Sequence, residues 1–326
     1  MTKENLPYKE VKQKIDRYGC ITILSHLNPD SDALGTALGI YALCVELKQK
    51  RVEVVNASRE LPSYLDFLPH FKKIKQHIEY HDSLVITCDC GSIDRLGFDL
   101  QDREILNIDH HQSNTKYGTI NVVLPQYASS SQVAFELLRE IYPINASAAT
   151  CFYTALLSDT RYFTTSSVNE HVFLVAQQLV SLGAKPDIVA FNLTQRRPLS
   201  SIRILQKALA SLTLVQDAKV AVLAVTEEEI ASTGARIPDM EGIADYAKSL
   251  VTVEIALFAI ELPEGIRISL RSKGADVSLV AASFGGGGHK VAAGFTLQKD
   301  LCKDGLQECV NIVLKKIVEL GLLNEK

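Results

Sequence analysis

Short apolar segments alternate with helix-length amphipathic segments in the first half of the chain. Residues 20–24 (CITIL) are rich in β-branched side chains and are bounded by Gly19 and a polar loop, which predicts a buried strand. A helix is predicted over 32–48, and the segments RVEVVN, SLVITCDC and REILNID predict further strands. This alternation is typical of a parallel sheet with helices on both faces. From about residue 130 to 192 the pattern is mostly helical.

A new strand pattern begins after the segment TQRRPLSSIRILQKALASL, which combines a proline with a helical period. The segments KVAVLAVT, VEIALFAIELP, GIRISLRSKG and VAAGFTL predict strands, and DVSLVAASF predicts a helix. We therefore expect an α/β protein with a doubly wound, mainly parallel sheet in a domain over 1–192. A helical interdomain linker over 193–215 and a smaller α/β domain over 216–326 would follow, and the linker would flex when the domains close.

Composition and charge narrow the class of protein. The 326 residues are 47% hydrophobic and 22% charged, which excludes disorder, collagen and coiled coil as the main architecture. A net charge of −4, from 34 Lys+Arg against 38 Asp+Glu, argues against a protein that coats long nucleic acid. No apolar run approaches the roughly 18 residues of a membrane span, and the charged N-terminal segment has no signal-peptide core.

Seven cysteines are present, an odd number, and none forms a CxxC pair. Several lie inside apolar runs, so we expect free, mostly buried thiols in a reducing cytoplasm.

Histidine and aspartate side chains follow the ends of several predicted strands and one helical run. In a doubly wound sheet the carboxyl ends of the strands meet at one crevice, where the strand order reverses. The pattern therefore predicts a single site built from separate segments. Its candidates are His26, Asp30, Asp32, Asp89, Asp109, His110, His111 and Asp159.

The candidate ligands are imidazole and carboxylate groups, and the cysteines lack the spacing of a zinc site. Such a ligand set suits Mn²⁺, Mg²⁺ or Fe²⁺ better than structural Zn²⁺. Six of the candidates (His26, Asp30, Asp32, Asp89, His110 and Asp159) exceed the needs of one ion but suit two ions with a bridging carboxylate, an arrangement that activates water and clamps a phosphoryl group. Asp30 and Asp32, two apart on extended backbone, would point to opposite sides and serve one ion each. The simpler alternatives are a helix N-cap for Asp32 and a structural role for the adjacent histidines.

The motifs HLNPDSDA, VITCDC, NIDHHQSN and LLSDT resemble, in order, the four motifs of the DHH phosphoesterases. GGGGHKVAAGF is similar to the glycine-rich signature of the companion DHHA1 domain, for which the resemblance implies a mixed sheet. The family includes RecJ-like nucleases and manganese pyrophosphatases. The resemblance covers about residues 20–297, and the compact layout looks most like the oligoribonuclease/pAp phosphatase subfamily.

The resemblance implies roles for the motif residues. The expected metal ligands, with Asp89 bridging two ions, are His26 and Asp30 for one ion and Asp32, His110 and Asp159 for the other. Asp109 would support the His110 ring, and His111 would stabilise charge on the scissile phosphate. Asn28 would approach the phosphate or only shape its loop. Where the subfamily commonly has Asp-Thr-Gly, this chain has Arg161 in place of the glycine.

The second domain offers candidate substrate contacts. The glycine-rich segment would let backbone N–H groups approach an anion, and a flexible turn with a surface histidine is the alternative. Arg267 and Arg271 alternate with Ser269 along one strand face and suit phosphate, although solvated strand charges are a simpler explanation. The complete candidate set is Gly286, Gly287, Gly288, His289, Arg267, Arg271 and Ser272.

The resemblance implies a cytoplasmic hydrolase that uses two divalent cations, Mn²⁺ before Mg²⁺ or Fe²⁺. It would release 5′-mononucleotides from very short RNA and remove the 3′-phosphate of pAp. A cyclic-di-AMP or pApA phosphodiesterase would use the same ligands, whereas a pyrophosphatase or a non-catalytic nucleotide sensor fits less well. We expect no long nucleic acid or membrane partner, and a monomer or homodimer.

Overall fold

The computed structural model describes residues 6–47, 49–298 and 305–323. The chain divides into two compact units, Met1–Arg196 and Arg197–Lys326. The domain limits expected from the sequence remain a prediction.

The first unit is built on a six-stranded parallel sheet with helices interleaved along the chain. In the described part of the chain its strands and α-helices are α1 (Tyr8–Arg17), β1 (Cys20–Ser25), α2 (Ser31–Cys44), β2 (Arg51–Val55), β3 (Ile74–Lys75), β4 (Leu84–Cys88), β5 (Ile105–Asp109), β6 (Ile120–Val123), α3 (Ser130–Leu138), α4 (Ala146–Asp159), α5 (Glu170–Ser181) and α6 (Pro186–Thr194). Short 3₁₀ turns lie at Ser63–Leu65, Phe71–Lys73 and Ile93–Leu96.

The strand order is β3-β2-β1-β4-β5-β6, with every pair parallel. The doubly wound parallel sheet expected from the sequence is thus confirmed. The order reverses between β1 and β4, where Ser25 is paired with Cys88. Such a reversal leaves a crevice at the carboxyl ends of the two strands, which is where ligands bind in this architecture. Strands β1, β4 and β5 are buried along their whole length, which explains their continuous apolar sequences.

Helices α2 and α4 pack closely because two glycines of α2 face α4. A Cβ at Gly35 would lie 2.7 Å from the Cys151 carbonyl oxygen, and one at Gly39 would lie 2.3 Å from Cε1 of Phe152. Gly35, the earlier of the two, would also meet Ala155 Cβ at 2.8 Å, whereas Gly39 meets Phe152, so the two helices run in opposite directions. The packing therefore brings the first turn of α2 to the last turn of α4, and with them Asp32 and Asp159.

The second unit contains a six-stranded mixed sheet, as the sequence led us to expect. Its described elements are α7 (Leu199–Ala210), β7 (Thr213–Val215), β8 (Val220–Val225), α8 (Glu227–Thr233), α9 (Ile243–Lys248), β9 (Ile255–Leu262), β10 (Gly265–Ser272), α10 (Ser278–Ser283), β11 (Gly287–His289), β12 (Ala292–Gln298) and α11 (Leu306–Glu319), with a 3₁₀ turn at Ile237–Met240. The order is β11-β12-β10-β9-β8-β7, in which only β8 and β9 are paired in parallel among the described residues. The glycine-rich segment thus supplies the edge strand β11.

The expectation of free, mostly buried thiols is confirmed for five cysteines. Cys20, Cys44, Cys88, Cys90 and Cys151 are free and buried. Cys309, however, is disulfide-bonded, so the expectation of free thiols needs correction there.

No single helix in the described ranges is long and apolar enough to cross a membrane. Helices α5 and α6 meet that length and composition only when taken together, and they are bent by 108° at the break between them. On α5, Val172, Val175 and Leu179 are buried in the core of the first unit.

Candidate metal centre

His26 and Asp89 lie at the point where the strand order reverses. His26 follows β1 and Asp89 follows β4, and because these strands are neighbours, His26 Nε2 lies 3.8 Å from Asp89 Oδ2. The other oxygen of the same carboxylate, Oδ1, lies 3.7 Å from Nε2 of His110, which follows β5. One carboxylate thus faces an imidazole with each of its oxygens.

Asp30 and Asp32 lie at the start of α2. Asp30 is the N-cap residue, and its Oδ1 accepts the backbone N–H of Ala33 at 3.0 Å. Asp32 already lies in the first helical turn and is buried. Two expectations are therefore corrected: the pair does not share extended backbone, and the N-cap is Asp30 rather than Asp32.

Two groups of ligand atoms share Asp89. In the first group, ligand atoms of His26, Asp30 and Asp89 lie within 4.8 Å of one another. In the second group, His110 Nε2 lies 3.8 Å from Asp32 Oδ2 and 3.5 Å from Asp159 Oδ2, in addition to Asp89. The structure thus brings together the six residues expected to bind metal.

The histidine rings are oriented as metal ligands require. His26 Nδ1 lies 2.8 Å from the Leu27 carbonyl oxygen, and His110 Nδ1 lies 3.2 Å from that of Tyr127. A carbonyl oxygen only accepts, so each Nδ1 carries the hydrogen, and Nε2 of the neutral ring is then an acceptor. Both Nε2 atoms face carboxylate oxygens, which are acceptors too. A cation placed between an Nε2 atom and a carboxylate oxygen would accept electron pairs from both, so the residues fit a divalent metal.

Three of the four carboxyl groups of the centre resist ionisation in the absence of a cation. For Asp30 the effect of burial is outweighed by the nearby His26 and by backbone N–H groups, so the pKa of that carboxyl is lowered. Burial raises the pKa of Asp32 to about 8, and the neighbouring Asp89 contributes to that rise. Burial also raises the pKa of Asp89 and that of Asp159 to about 7. Buried like charges disfavour one another, and a bound cation removes that cost.

Asp89 has an unusual backbone conformation. Its φ of 55° lies in the left-handed region, which aspartate and asparagine tolerate better than most residues. Its backbone N–H donates to the Ile108 carbonyl oxygen at 3.1 Å, which continues the pairing of β4 with β5. Strain of this kind is concentrated at functional sites, and here it occurs at the carboxylate that both groups share.

Asp109 and His111 form a hydrogen-bonded pair beside the metal ligands. His111 Nδ1 donates to Asp109 Oδ1 at 2.7 Å, and Asn114 Nδ2 donates to Asp109 Oδ2 at 2.5 Å. Burial lowers the pKa of His111, but the bond to Asp109 and the nearby carboxylates outweigh it and raise the pKa to about 10. The hydrogen bond that Asp109 accepts from His110 comes from the backbone N–H, at 2.7 Å, whereas Nδ1 of the His110 ring faces the Tyr127 carbonyl oxygen. This corrects the expectation that Asp109 supports the His110 ring, whose partner is a backbone carbonyl.

Asn28 is an exposed turn residue between β1 and α2. Its φ of 53° is left-handed, and its backbone N–H donates to Ser58 Oγ at 2.8 Å. These contacts give Asn28 a place in shaping the loop, whereas an approach to phosphate remains a prediction.

Sequence reasoning missed Asn114 and the segment Tyr-Ala-Ser-Ser-Ser at 127–131. The available signal was a run of serines before a helical pattern, which is typical of an N-cap. Ser129 does cap α3, since its Oγ accepts the backbone N–H of Gln132 at 3.1 Å.

Comparison with known proteins assigns the family. The model of the DHH family N-terminal domain matches residues 20–156, and that of the DHHA1 domain matches residues 217–319. The chain belongs to the DHH/DHHA1 family. DHH phosphoesterases are metal-dependent hydrolases, and the acidic and histidine groups described above are of the kind that can hold a metal ion.

Several relatives cover most of this DHH/DHHA1 chain. A Thermus thermophilus protein named bifunctional oligoribonuclease and PAP phosphatase NrnA is 27% identical over 94% of this chain and 92% of its own length. The crystal structure of an exopolyphosphatase-related protein from Bacteroides fragilis has a TM-score of 0.84 at 25% identity and covers 96% of each chain. The cyclic-di-AMP phosphodiesterase GdpP of Geobacillus thermodenitrificans is 27% identical over 82% of this chain but only 43% of its own length.

The loop after the fourth DHH motif has a left-handed backbone. The N–H groups of Arg161 and Tyr162 donate to the carbonyl oxygens of Ser158 and Leu157 at 2.9 and 2.8 Å. This pattern ends a helix with a left-handed residue, usually glycine, and Arg161 occupies that position with a φ of 46°. The arginine that replaces the subfamily glycine is therefore strained.

We expect Arg161→Gly to raise the free energy of unfolding of the metal-free protein by about 1 kcal/mol, because glycine adopts this φ without a Cβ clash. Urea denaturation in the presence of a chelator measures the change. Arg161→Ala is the control, since it removes the guanidinium but keeps the Cβ, and it should give no comparable gain. A glycine variant no more stable than the alanine variant would disprove backbone strain at this position.

The DHHA1 candidates lie along one face of the second sheet. His289 is paired with Ala292, and Ala292 with Arg271, so the His289 and Arg271 side chains point to the same side. Arg267 and Ser269 occupy the same face of β10. Ser272 does not join them: it is buried, and its hydroxyl donates to the Ala275 carbonyl oxygen at 2.5 Å. This corrects the expectation that Ser272 contacts substrate.

Gly286, which precedes β11, and Gly287 and Gly288 within it differ in the space around them. A Cβ at Gly286 would lie 2.3 Å from the Gly294 carbonyl oxygen, and one at Gly288 would lie 2.5 Å from that of Ala292. Both are needed for close packing against β12. A Cβ at Gly287 would meet nothing within 4 Å, so of these three glycines only Gly287 leaves open space above the backbone.

Proposed function

We propose that this protein hydrolyses very short oligoribonucleotides to 5′-mononucleotides and removes the 3′-phosphate of pAp. The observation that carries the proposal is the Asp89 carboxylate, which faces a different ligand group with each oxygen. Such a shared carboxylate suits two metal ions that act on one phosphoryl group. The similarity to proteins named oligoribonuclease and PAP phosphatase, over nearly their full length, supports this substrate class.

We infer that the first group (His26, Asp30, Asp89) holds one ion and the second group (Asp32, Asp89, His110, Asp159) holds another. Oxygen-rich sets with imidazole favour Mn²⁺, with Mg²⁺ and Fe²⁺ as alternatives. When bound, divalent cations supply the positive charge that activates water and offsets the charge of the phosphate.

His111 is proposed to stabilise negative charge on the scissile phosphate. Its Nδ1 is engaged by Asp109, so Nε2 is the atom that can donate to substrate. In the metal-free protein the raised pKa keeps the ring protonated at neutral pH, and the bond to Asp109 fixes its orientation. An imidazolium held in this way is a preorganised donor.

Substrate contacts in the second unit are proposed for Arg267, Arg271 and His289, with the backbone at Gly287 as the point of closest approach. Arginine binds phosphate with two parallel hydrogen bonds. The net charge of −4 supports a preference for short ligands over long nucleic acid. A cytoplasmic location and a monomeric or homodimeric state remain predictions.

A cyclic-di-AMP or pApA phosphodiesterase is the second candidate, because the similarity to GdpP extends over 82% of this chain. The metal ligands do not distinguish the two activities. The similarity favours the first candidate, since the match covers 92% of the Thermus thermophilus relative but only 43% of GdpP.

A substrate panel tests the proposed function. With Mn²⁺, we expect release of mononucleotides from 2–5-mer RNA and phosphate from pAp, with hydrolysis falling steeply for longer oligonucleotides. Preference for cyclic-di-AMP or pApA in direct competition would select the second candidate. If all of these substrates remained intact under Mn²⁺, Mg²⁺ and Fe²⁺, the enzymatic proposal would be wrong and a nucleotide sensor would be favoured.

A further inference from the structure

Residues 127–131 (Tyr-Ala-Ser-Ser-Ser), which we call the serine loop, contact the metal centre although none of them is a metal ligand. The loop leads into the first turn of α3 and is buried. The Tyr127 carbonyl oxygen accepts from Nδ1 of His110 at 3.2 Å. At the other end of the loop, the backbone N–H of Ser131 donates to Asp32 Oδ1 at 3.1 Å. The loop therefore touches ligands that come from two different elements of the first unit.

Ser130 makes more of these contacts than its neighbours. Its backbone N–H donates to Asp32 Oδ2 at 2.7 Å, and its hydroxyl lies 2.8 Å from Asp89 Oδ1 and 3.3 Å from Asp109 Oδ1. A hydroxyl has one hydrogen, and the shorter distance assigns it to Asp89. Ser130 thus donates to one carboxylate of the second group through the backbone and to the shared carboxylate through the side chain.

Side chains of α3 and α5 form hydrogen bonds that stabilise the serine loop. Gln132 Oε1 accepts the backbone N–H of Ala128 at 2.8 Å, and Gln132 Nε2 lies 3.2 Å from His171 Nδ1. His171 Nε2 lies 3.0 Å from Oε1 of the buried Glu136. These bonds hold the backbone on both sides of Ser130 in place through residues that are not metal ligands.

We propose that Ser130 is a positioning residue for metal binding: its hydroxyl holds the Asp89 carboxylate in the direction needed to face both ligand groups. This inference rests on the proposed metal roles of Asp32 and Asp89. Without the hydroxyl, the shared carboxylate loses a donor in a buried site and can rotate away from one group. Partners that orient metal ligands typically contribute 10–100-fold to metal affinity.

Isothermal titration of the full chain with Mn²⁺ tests the inference directly. We expect Ser130→Ala to weaken Mn²⁺ binding by about tenfold, while Ser130→Thr, which keeps the hydroxyl, stays within about twofold of the unchanged protein. Hydrolysis by Ser130→Ala should need more Mn²⁺ for half-maximal rate, yet approach the normal kcat and KM once Mn²⁺ is saturating.

Ser83→Ala is the matched control. Ser83 is also buried. It directly precedes the first residue of β4, at the end of the strand away from Asp89, and its hydroxyl is bonded to Thr22 and Arg103. It should lower thermal stability without changing Mn²⁺ affinity. An Mn²⁺ isotherm for Ser130→Ala equal to that of the unchanged protein would overturn the inference, as would a loss equalled by Ser83→Ala. Because the titration needs no hydrolysis, it tests the role of Ser130 even if the proposed substrates are wrong.

Discussion

Asp89→Asn is expected to lower kcat/KM for pAp and short RNA on the order of 10⁴-fold, because one substitution removes the negative charge that both ligand groups share. Asparagine is the informative replacement. It has the shape of aspartate and tolerates the left-handed φ of 55°, whereas alanine would add backbone strain to the loss of charge. Steady-state hydrolysis at saturating Mn²⁺ measures the effect.

The same substitution should raise the stability of the metal-free protein. The pKa of Asp89 is about 7 in the fold against an ordinary value of 3.8, so ionisation of this buried carboxyl destabilises the fold increasingly as the pH rises from 3.8 towards 7. The amide does not ionise, and at about pH 8 with a chelator the variant should melt at a higher temperature than the unchanged protein. On addition of Mn²⁺ the order should reverse, because only the intact centre is stabilised by the metal.

Asp102→Asn is the matched control for Asp89→Asn. Asp102 also has a left-handed backbone, with φ 61°, but is exposed. It should leave hydrolysis and the stabilisation by Mn²⁺ unchanged. If Asp89→Asn kept more than a tenth of the activity, or gained as much stability from Mn²⁺ as the control does, the shared-carboxylate account would fail.

His111→Gln is expected to lower kcat by about 10²–10³-fold, the usual cost of removing a preorganised donor to a developing charge. KM and Mn²⁺ affinity should change little, because the proposed role of His111, whose ring is bonded to Asp109, is to donate to the phosphate and not to bind a metal ion. Steady-state kinetics and Mn²⁺ titration of the same preparation separate the two effects. This pattern differs from that of Asp89→Asn, in which catalysis and metal binding are lost together.

His77→Gln is the control for His111→Gln, since His77 is an exposed histidine outside the DHH motifs. It should behave like the unchanged protein. Loss of Mn²⁺ binding in His111→Gln would show that His111 is a ligand, and an unchanged kcat would remove it from the reaction.

The alternation of apolar and amphipathic segments was sufficient to predict the parallel sheet, four of its six strands and the convergence of His26, Asp89 and His110 at its carboxyl edge, but not strands β3 and β6. The reason is physical: β1, β4 and β5 are buried on both faces, so their sequences are continuous apolar runs that end in polar residues. Strand β3 escaped prediction because it has only two residues, Ile74 and Lys75, both half-buried.

Contacts between distant segments were not predictable from the sequence. The bond from Ser130 to Asp32 joins residues 98 positions apart, and no local period reports on it. Asp109 bonds to the ring of His111 and not to that of His110. This difference depends on how the two rings are oriented, which the motif does not encode. Backbone angles were equally hidden, since neither Asp89 nor Arg161 is a residue that signals a left-handed conformation by itself.

The number of divalent ions bound per chain is the most direct test of the central claim. Equilibrium dialysis against Mn²⁺, followed by elemental analysis, should give two ions per chain for the unchanged protein and for Asp102→Asn. Asp89→Asn should retain neither ion at the same free Mn²⁺ concentration, because both groups depend on that carboxylate. One ion or none in the unchanged protein, or an unchanged count in Asp89→Asn, would contradict a centre built around a shared Asp89.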